Sequence, residues 1–323
     1  MRFIVYGAGA IGGVIGGRLF QHGHDVTLIA RGRHYEALRT NGLRLRSTDE
    51  DVTLAVPTVD HPARLRLQDG DVVVLAMKTQ DTRAALAALG ETASAEVAIV
   101  CAQNGVDNER AALRRFENVY GMCVMCPAVH LEPGTVEAHS SPITGLLDLG
   151  RYPSGVDATA ETVAKTLEAS TFESVPRPDI MRWKYAKLVM NLGNAVEALC
   201  GHIDGAAEIT RRARREGARV LDAAGVDVAS REEDRERRGD RLQHRPVQGS
   251  ARSGGSSWQS LERATRSIEC DYLNGEIVLL GRLHGVPTPV NTLLRRLANA
   301  AARRGDNPGS TSPDEILRQL AGT

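Results

Sequence analysis

The start of the chain constrains its fold more than any other stretch. Residues 2–6 are a short apolar run that ends in Gly7-Ala8-Gly9-Ala10-Ile11-Gly12, and residues 13–20 continue in helical style. This is G-x-G-x-x-G placed between a strand and a helix. The first glycine permits the tight turn, and the second lets a pyrophosphate approach the backbone. The third allows close packing of helix on strand, with the phosphates at the positive end of the helix dipole. The motif is common by itself, but here it stands in the context it requires. Residues 25–30 then read as a second strand, which completes a βαβ unit.

The end of that second strand bears on the cofactor. A site for NAD usually carries Asp or Glu about 20 residues after the glycines, bound to the ribose 2′-hydroxyl. Arg31 stands at that position, with Arg33 close behind. A guanidinium suits a 2′-phosphate, so the expected cofactor is NADP(H), with Gly7, Ala8, Gly9, Ala10, Ile11, Gly12 and Arg31 as its contacts. Residues 53–56 and 71–76 read as further strands, the second an uninterrupted apolar run of the kind found in parallel sheets. It ends at Met77-Lys78-Thr79, and the strand at residues 96–101 ends at Ala102-Gln103-Asn104-Gly105. Lys78 and Asn104 therefore fall at the carboxyl rim, where open α/β sheets bind ligands. Residues 81–89 read as a helix, 119–125 as a strand and 136–149 as β-ribbon.

The character of the chain changes after Pro176-Arg177-Pro178, from alternating strands and helices to helix after helix without a strong strand signal. The expected architecture is an α/β Rossmann-type N-terminal domain over residues 1–176, followed by an all-α C-terminal domain over residues 177–323. Helices are expected at residues 179–200, 206–224, 230–243, 257–281, 291–302 and 313–320. Gln248 begins a Gly/Ser-rich loop that runs to Ser257.

With 323 residues the chain is long enough for two domains, each with its own core. Forty basic residues balance forty acidic ones, so charge points to neither nucleic acid nor an anionic membrane as a partner. No run approaches the roughly 18 apolar residues of a membrane span, and no signal peptide is evident. Five scattered cysteines fit a reducing cytoplasm. Cys123 and Cys126 form C-x-x-C, but no second pair or spaced His completes a metal site, and none is expected.

Only four of the forty basic residues are lysine: Lys78, Lys165, Lys184 and Lys187. Arg does not release a proton in a protein, whereas a partly buried Lys can. Read as one helix, residues 183–194 place Lys187, Asn191 and Asn194 in a narrow arc, opposite an apolar stripe of Tyr185, Leu188, Val189, Leu192, Val196 and Leu199. Such an arc is either a solvated face or a proton donor flanked by two amides.

Several separated motifs together resemble the ketopantoate reductase (2-dehydropantoate 2-reductase) family over nearly the whole chain. They are the glycine loop, Arg31, Lys78, Gln103-Asn104-Gly105, Lys187-Leu-Val-Met-Asn191 with Asn194, and Ser257 twelve residues before Glu269-Cys-Asp-Tyr-Leu-Asn-Gly275. The resemblance implies an NADPH-dependent reduction of 2-dehydropantoate to pantoate, on the route to pantothenate and coenzyme A, with the active site between the two domains. It makes Lys187 the general acid, with Glu269 near it and at the nicotinamide end of the cofactor. Asn191, Asn194 and Ser257 would hold the substrate, Asn104 would touch substrate and cofactor, and Ala128 and Lys78 would contact the cofactor. Asp204 stands where many members place a substrate-touching Asn.

Three departures fall on the substrate side. Asn191 and Asn194 are three residues apart where four is common, Ala195 and Glu197 replace the usual Pro and Thr, and Asp204 replaces Asn. They keep open a reductase of another 2-oxo acid or secondary-metabolite ketone; a non-catalytic NADP-binding regulator is the other alternative. Ser257 and Glu269 would lie about 18 Å apart on a straight helix. Either the chain bends between them, or Glu269 serves the cofactor and Lys187 while Ser257 sits on a folded-back loop, the alternative that Gly254-Gly255 before Ser257 favour. A homodimer through the helical domain is the expected assembly.

Overall fold

The computed structural model describes residues 1–322. It divides into two compact units: residues 1–184 with 231–252, and residues 185–230 with the remainder from 253 on. The first unit opens with β1 (Arg2–Tyr6), α1 (Ala10–Gln21), β2 (Asp25–Ile29) and α2 (Gly32–Asn41). It continues through β3 (Leu43–Ser47), β4 (Asp51–Leu54), β5 (Thr58–Val59), β6 (Val72–Leu75) and α3 (Thr79–Gly90). Next come β7 (Ala98–Cys101), α4 (Asn108–Leu113), β8 (Val119–Met125), β9 (Ala128–Val129), β10 (Thr135–Ala138) and β11 (Ser140–Pro142). β12 (Gly145–Arg151), α5 (Ala158–Glu168), β13 (Phe172–Glu173) and α6 (Ile180–Asn191) follow. The division between the units falls inside α6, eight residues beyond the boundary expected at Pro176.

The main sheet has the order β13-β12-β8-β7-β6-β1-β2-β5, parallel except where β12 runs against β8. β1 lies between β2 and β6, so successive crossovers diverge at its edge and open a crevice at the carboxyl ends. The residues of β1, β2 and β6 that face either side are almost all buried, which is why their sequences are unbroken apolar runs. A second sheet, β4-β3-β10-β9, was not anticipated from the sequence.

Helix α1 explains how two sheets share one core. A Cβ at Gly16 would come within 2.6 Å of Leu28 of the main sheet, and one at Gly13 within 2.6 Å of Val136 of the second. One at Gly17 would meet Leu45 at 2.8 Å. The glycines thin the helix on both sides, so Val14, Ile15 and Leu19 are buried in a cluster that draws from both sheets. Four glycines in a helix oppose its propensity; tertiary packing supplies the reason for them.

The second unit takes α7 (Asn194–Cys200) and α8 (Ala206–Ala223). The chain then returns to the first unit with α9 (Arg231–Arg238) and β14 (Leu242–His244), the latter paired antiparallel with β11. This corrects the expectation of an unbroken helical domain after residue 177 and of one helix over residues 230–243. The charged segment is tied down by ion pairs. Arg237 donates to Asp148 Oδ1 at 2.5 Å and to Glu173 Oε2 at 2.8 Å, and Arg182 donates to Glu233 at 2.6 and 2.9 Å. Asp148 is itself buried and also accepts from Arg177 and from the Val175 N–H. The second unit is completed by α10 (Ser256–Glu262), a 3-10 turn at Glu269–Tyr272, α11 (Asn274–Leu283), α12 (Pro289–Arg304) and α13 (Pro313–Ala321). Among the described residues no helix is long and apolar enough to cross a membrane.

Removing one partner of a buried charge cluster strands the others. Asp148→Ala is expected to destabilise the protein by about 3 kcal/mol, measured by urea denaturation. Limited proteolysis should then cut first between residues 231 and 244, and an unaltered digestion pattern would show that α9 is held by other contacts.

Candidate functional site

The glycine loop, Lys78 and Asn104 follow the carboxyl ends of β1, β6 and β7 in the first unit. Gly7 follows β1 with φ +99°, and a Cβ there would lie 2.6 Å from the Met77 nitrogen and 2.9 Å from its Cα. At Gly12 a Cβ would lie 2.1 Å from the Gly7 carbonyl oxygen. Both positions are closed to any side chain. Gly9 differs, because its nearest neighbour would be the His130 ring at 3.9 Å. The backbone is open there, above the first turn of α1, whose N–H groups have no intrahelical partner and no side-chain cap. A backbone of this shape can receive an anionic group such as a pyrophosphate.

Two histidines that the sequence did not single out brace this loop. His34, in α2, accepts the Gly134 N–H at Nδ1 (2.9 Å), so its proton lies on Nε2 and is donated to the Ala8 carbonyl (2.7 Å). The His130 ring lies 4.3 Å from it, centroid to centroid. The signal of His34 was hidden because α2 was not foreseen, and that of His130 because the second sheet was not. Arg31 sits where expected, between β2 and α2, with its side chain exposed and 3.5 Å from Asp81. Arg33 is exposed as well. Ala128 is buried in β9.

Lys78 immediately precedes α3 and is half-buried. The loops after β6 and β7 are joined by a buried polar chain. Gln103 Nε2 donates to the Met77 carbonyl (2.9 Å) and to Thr82 Oγ1 (2.7 Å), and Thr82 donates to Asn108 Oδ1 (2.8 Å). Asn108 Nδ2 donates to Thr79 Oγ1 (3.2 Å) and to the Asn104 carbonyl (3.0 Å). Gly105 follows at φ +77°. The rim therefore holds the Asn104 carbonyl between Asn108 and Thr79, the residue that follows Lys78.

Three candidate residues of the second unit, Lys187, Asn191 and Asn194, lie on the two helices that meet at the α6–α7 junction. Lys187 and Asn191 lie on α6, but Asn194 begins α7, with Leu192-Gly193 between the helices. The single arc expected for Lys187, Asn191 and Asn194 is thus corrected to two segments. The apolar stripe holds in part: Leu188, Leu192, Val196 and Leu199 are buried, while Tyr185 and Val189 are half-buried. The break has a physical cause. Asn274 Nδ2 donates to the Leu192 carbonyl (3.1 Å) and to Asn291 Oδ1 (2.9 Å). Asn291 in turn donates to Glu216, whose carboxylate also accepts the N–H groups of Val290 and Asn291. Arg214 donates to the Met190 carbonyl (2.9 Å) near the end of α6. At the junction the Asn191 side-chain nitrogen is buried and lacks a hydrogen-bond partner among the described residues.

Ser257 is buried in the first turn of α10, not on a folded-back loop. The helix stops at Glu262, and Ala264 and Arg266 take left-handed φ values of 49° and 55°. The chain therefore bends before it reaches Glu269, which removes the straight-helix separation. Glu269 is buried in the 3-10 turn. Glu197 accepts the Gly255 N–H (2.9 Å), which ties α7 to the start of α10, and His202 lies 3.2 Å from the same carboxylate. Asp204 is exposed, beside Gly205 at φ +89°. The C-x-x-C thiols are buried, Cys123 donating to the Trp183 carbonyl and Cys126 to the Thr144 carbonyl.

Known proteins resemble the chain over almost its whole length. The family described as ketopantoate reductase PanE/ApbA matches residues 3–153, and its C-terminal region matches residues 179–302. A 2-dehydropantoate 2-reductase of Pyrococcus horikoshii is 29% identical, over 94% of this chain and 99% of its own length. The crystal structure of a PanE/ApbA family ketopantoate reductase from Ralstonia eutropha JMP134 superposes with a TM-score of 0.79 at 27% identity, over 94% of this chain and 99% of that one. D-mandelate dehydrogenase, in a ternary structure with NADH and anilino(oxo)acetate, has the same fold at 24% identity and a TM-score of 0.78, over the same shares.

Asn274→Ala leaves the Leu192 carbonyl and Asn291 Oδ1 without this donor. A loss of about 1–3 kcal/mol in denaturant-derived stability is expected; a change within about 0.5 kcal/mol would mean that the helix break does not depend on this residue.

Proposed function

Because the chain belongs to the ketopantoate reductase PanE/ApbA family, we propose that it is an NADPH-dependent oxidoreductase that reduces 2-dehydropantoate to pantoate. The observation that carries the reading is the pairing of two features. One is a glycine loop open only at Gly9 and followed by Arg31. The other is a rare, half-buried lysine, Lys187, one helical turn from the buried amide of Asn191.

NADPH, when bound, supplies a hydride for the ketone carbon. The first turn of α1 and the backbone at Gly9 hold its pyrophosphate, and Arg31 pairs with the 2′-phosphate. Ala8, Ala10 and Ile11 contribute backbone to the same loop, while Lys78, Ala128 and Asn104 complete the cofactor contacts. Lys187 stabilises the developing alkoxide through its ammonium charge and then gives it a proton, leaving a 2-hydroxy acid and NADP+. Asn191, Asn194 and Ser257 hold the hydroxyl and carboxylate of the substrate. Glu269 orients the Lys187 ammonium through the attraction of opposite charges.

A second reading is a reductase of another 2-oxo acid. It is favoured by the substrate side, where Asn191 and Asn194 stand on separate helices and Glu197 engages Gly255. The D-mandelate dehydrogenase of the same fold has a structure with NADH and anilino(oxo)acetate.

NADPH oxidation with 2-dehydropantoate and a panel of 2-oxo acids separates the two readings. No turnover on any substrate, with NADPH still bound, would instead leave a cofactor-binding regulator. Lys187→Ala is expected to bind NADPH normally and to lose about 10²- to 10⁴-fold in kcat; normal turnover would remove Lys187 as the acid. Arg31→Ala should weaken NADPH far more than NADH, and an equal loss for both would remove the phosphate assignment.

A further inference from the structure

Lys184 and Glu109 form an ion pair sealed from water, with side-chain exposures of 2% and 0%. A buried pair of this kind is poor support for stability, since desolvation offsets most of the attraction. Burial, with a smaller push from the Asp107 charge, raises the Glu109 carboxyl against the pull of Lys184. The chain otherwise uses Arg for nearly all its positive charge, so a lysine here calls for a reason specific to the site.

The reason lies in where its three N–H donors go. Besides Glu109, the Lys184 ammonium donates to the Gln103 carbonyl (3.0 Å) and to the Cys101 carbonyl (3.4 Å). Cys101 is the last residue of β7 and Glu109 the second of α4. One compact ammonium therefore grips both ends of the loop that carries Asn104. A planar, forked guanidinium could not converge on three points in so small a space. Asn108 secures the same loop from its other side through the Asn104 carbonyl. Lys184 and Lys187 stand one turn apart on α6, yet Lys184 faces three fixed acceptors and has no role in the proton transfer proposed above.

We infer that Lys184 and Glu109 are positioning residues, a charged staple that holds the residue 102–108 loop so that Asn104 meets cofactor and substrate. The consequence for the cofactor rests on the NADPH reading above; the consequence for the loop does not. The pair acts through backbone carbonyls and touches neither reactant.

The test compares the full chain with K184M/E109L, because K184M alone would leave a buried, unmatched carboxylate and could fail to fold. The double replacement keeps the volume apolar and is expected to melt within a few degrees of the parent. Hydrogen–deuterium exchange at the amides of residues 102–107 should become at least about tenfold faster, and the NADPH Kd should rise about tenfold, the loss that follows from one charged hydrogen bond. E109Q, which keeps an acceptor beside Lys184, should show a smaller rise in both. Unchanged exchange in the loop, or faster exchange with unaltered Kd and kcat/KM, would overturn the staple. A parent protein that does not bind NADPH would count against the proposed function instead, and the exchange comparison would still decide whether the loop is held.

Discussion

The close approach of β1 to β6 at Gly7 is the contact on which the rest of the first unit depends. Backbone meets backbone there, with no room for a Cβ beside Met77. Gly12 then lets α1 start directly against the Gly7 carbonyl. Because the helix begins so tightly on the strand, its first turn opens above Gly9, and its length can run between two sheets. A substituent at either glycine would displace the helix start, and with it the packing that joins β1–β2 to β3–β10.

Away from the glycines, each unit fixes its irregular backbone with a buried polar chain. In the first, Gln103, Thr82, Asn108 and Thr79 bind the loops after β6 and β7 to each other. In the second, Glu216, Asn291 and Asn274 reach the Leu192 carbonyl at the α6–α7 break. Backbone that leaves a helix or strand inside a protein must find partners, and a satisfied network holds one conformation where an apolar filling would permit several. The side chains assigned to chemistry stand on these irregular segments or next to them.

The departures from the family pattern acquire a local meaning in the second unit. Glu197 accepts the Gly255 N–H and ties α7 to the helix that carries Ser257. The short step from Asn191 to Asn194 crosses a helix break, so the two amides are oriented by separate helices. Both features bear on the shape offered to a substrate rather than on cofactor chemistry.

Glycine spacing, apolar runs and strand ends act through nearest neighbours along the chain, and they made the βαβ start, Arg31, Lys78 and Asn104 legible without coordinates. The motif residues of the second unit were legible as residues, but not their setting. The helical period of residues 183–194 continues across Gly193, so nothing in the local pattern marked the break; its cause is Asn274, 82 positions along the chain. The bend after Glu262 hid in the same way, because Ala264 and Arg266 carry no local signal for left-handed backbone. Residues 231–252 looked like part of a helical domain, yet they join the first unit because the buried carboxylate of Asp148 and the half-buried one of Glu173 receive Arg237. Lys184 appeared only as an uncommon residue type. Short-range geometry is thus set by the sequence itself, whereas the partners of buried charges and turned carbonyls lie far along the chain and exist only once it has folded.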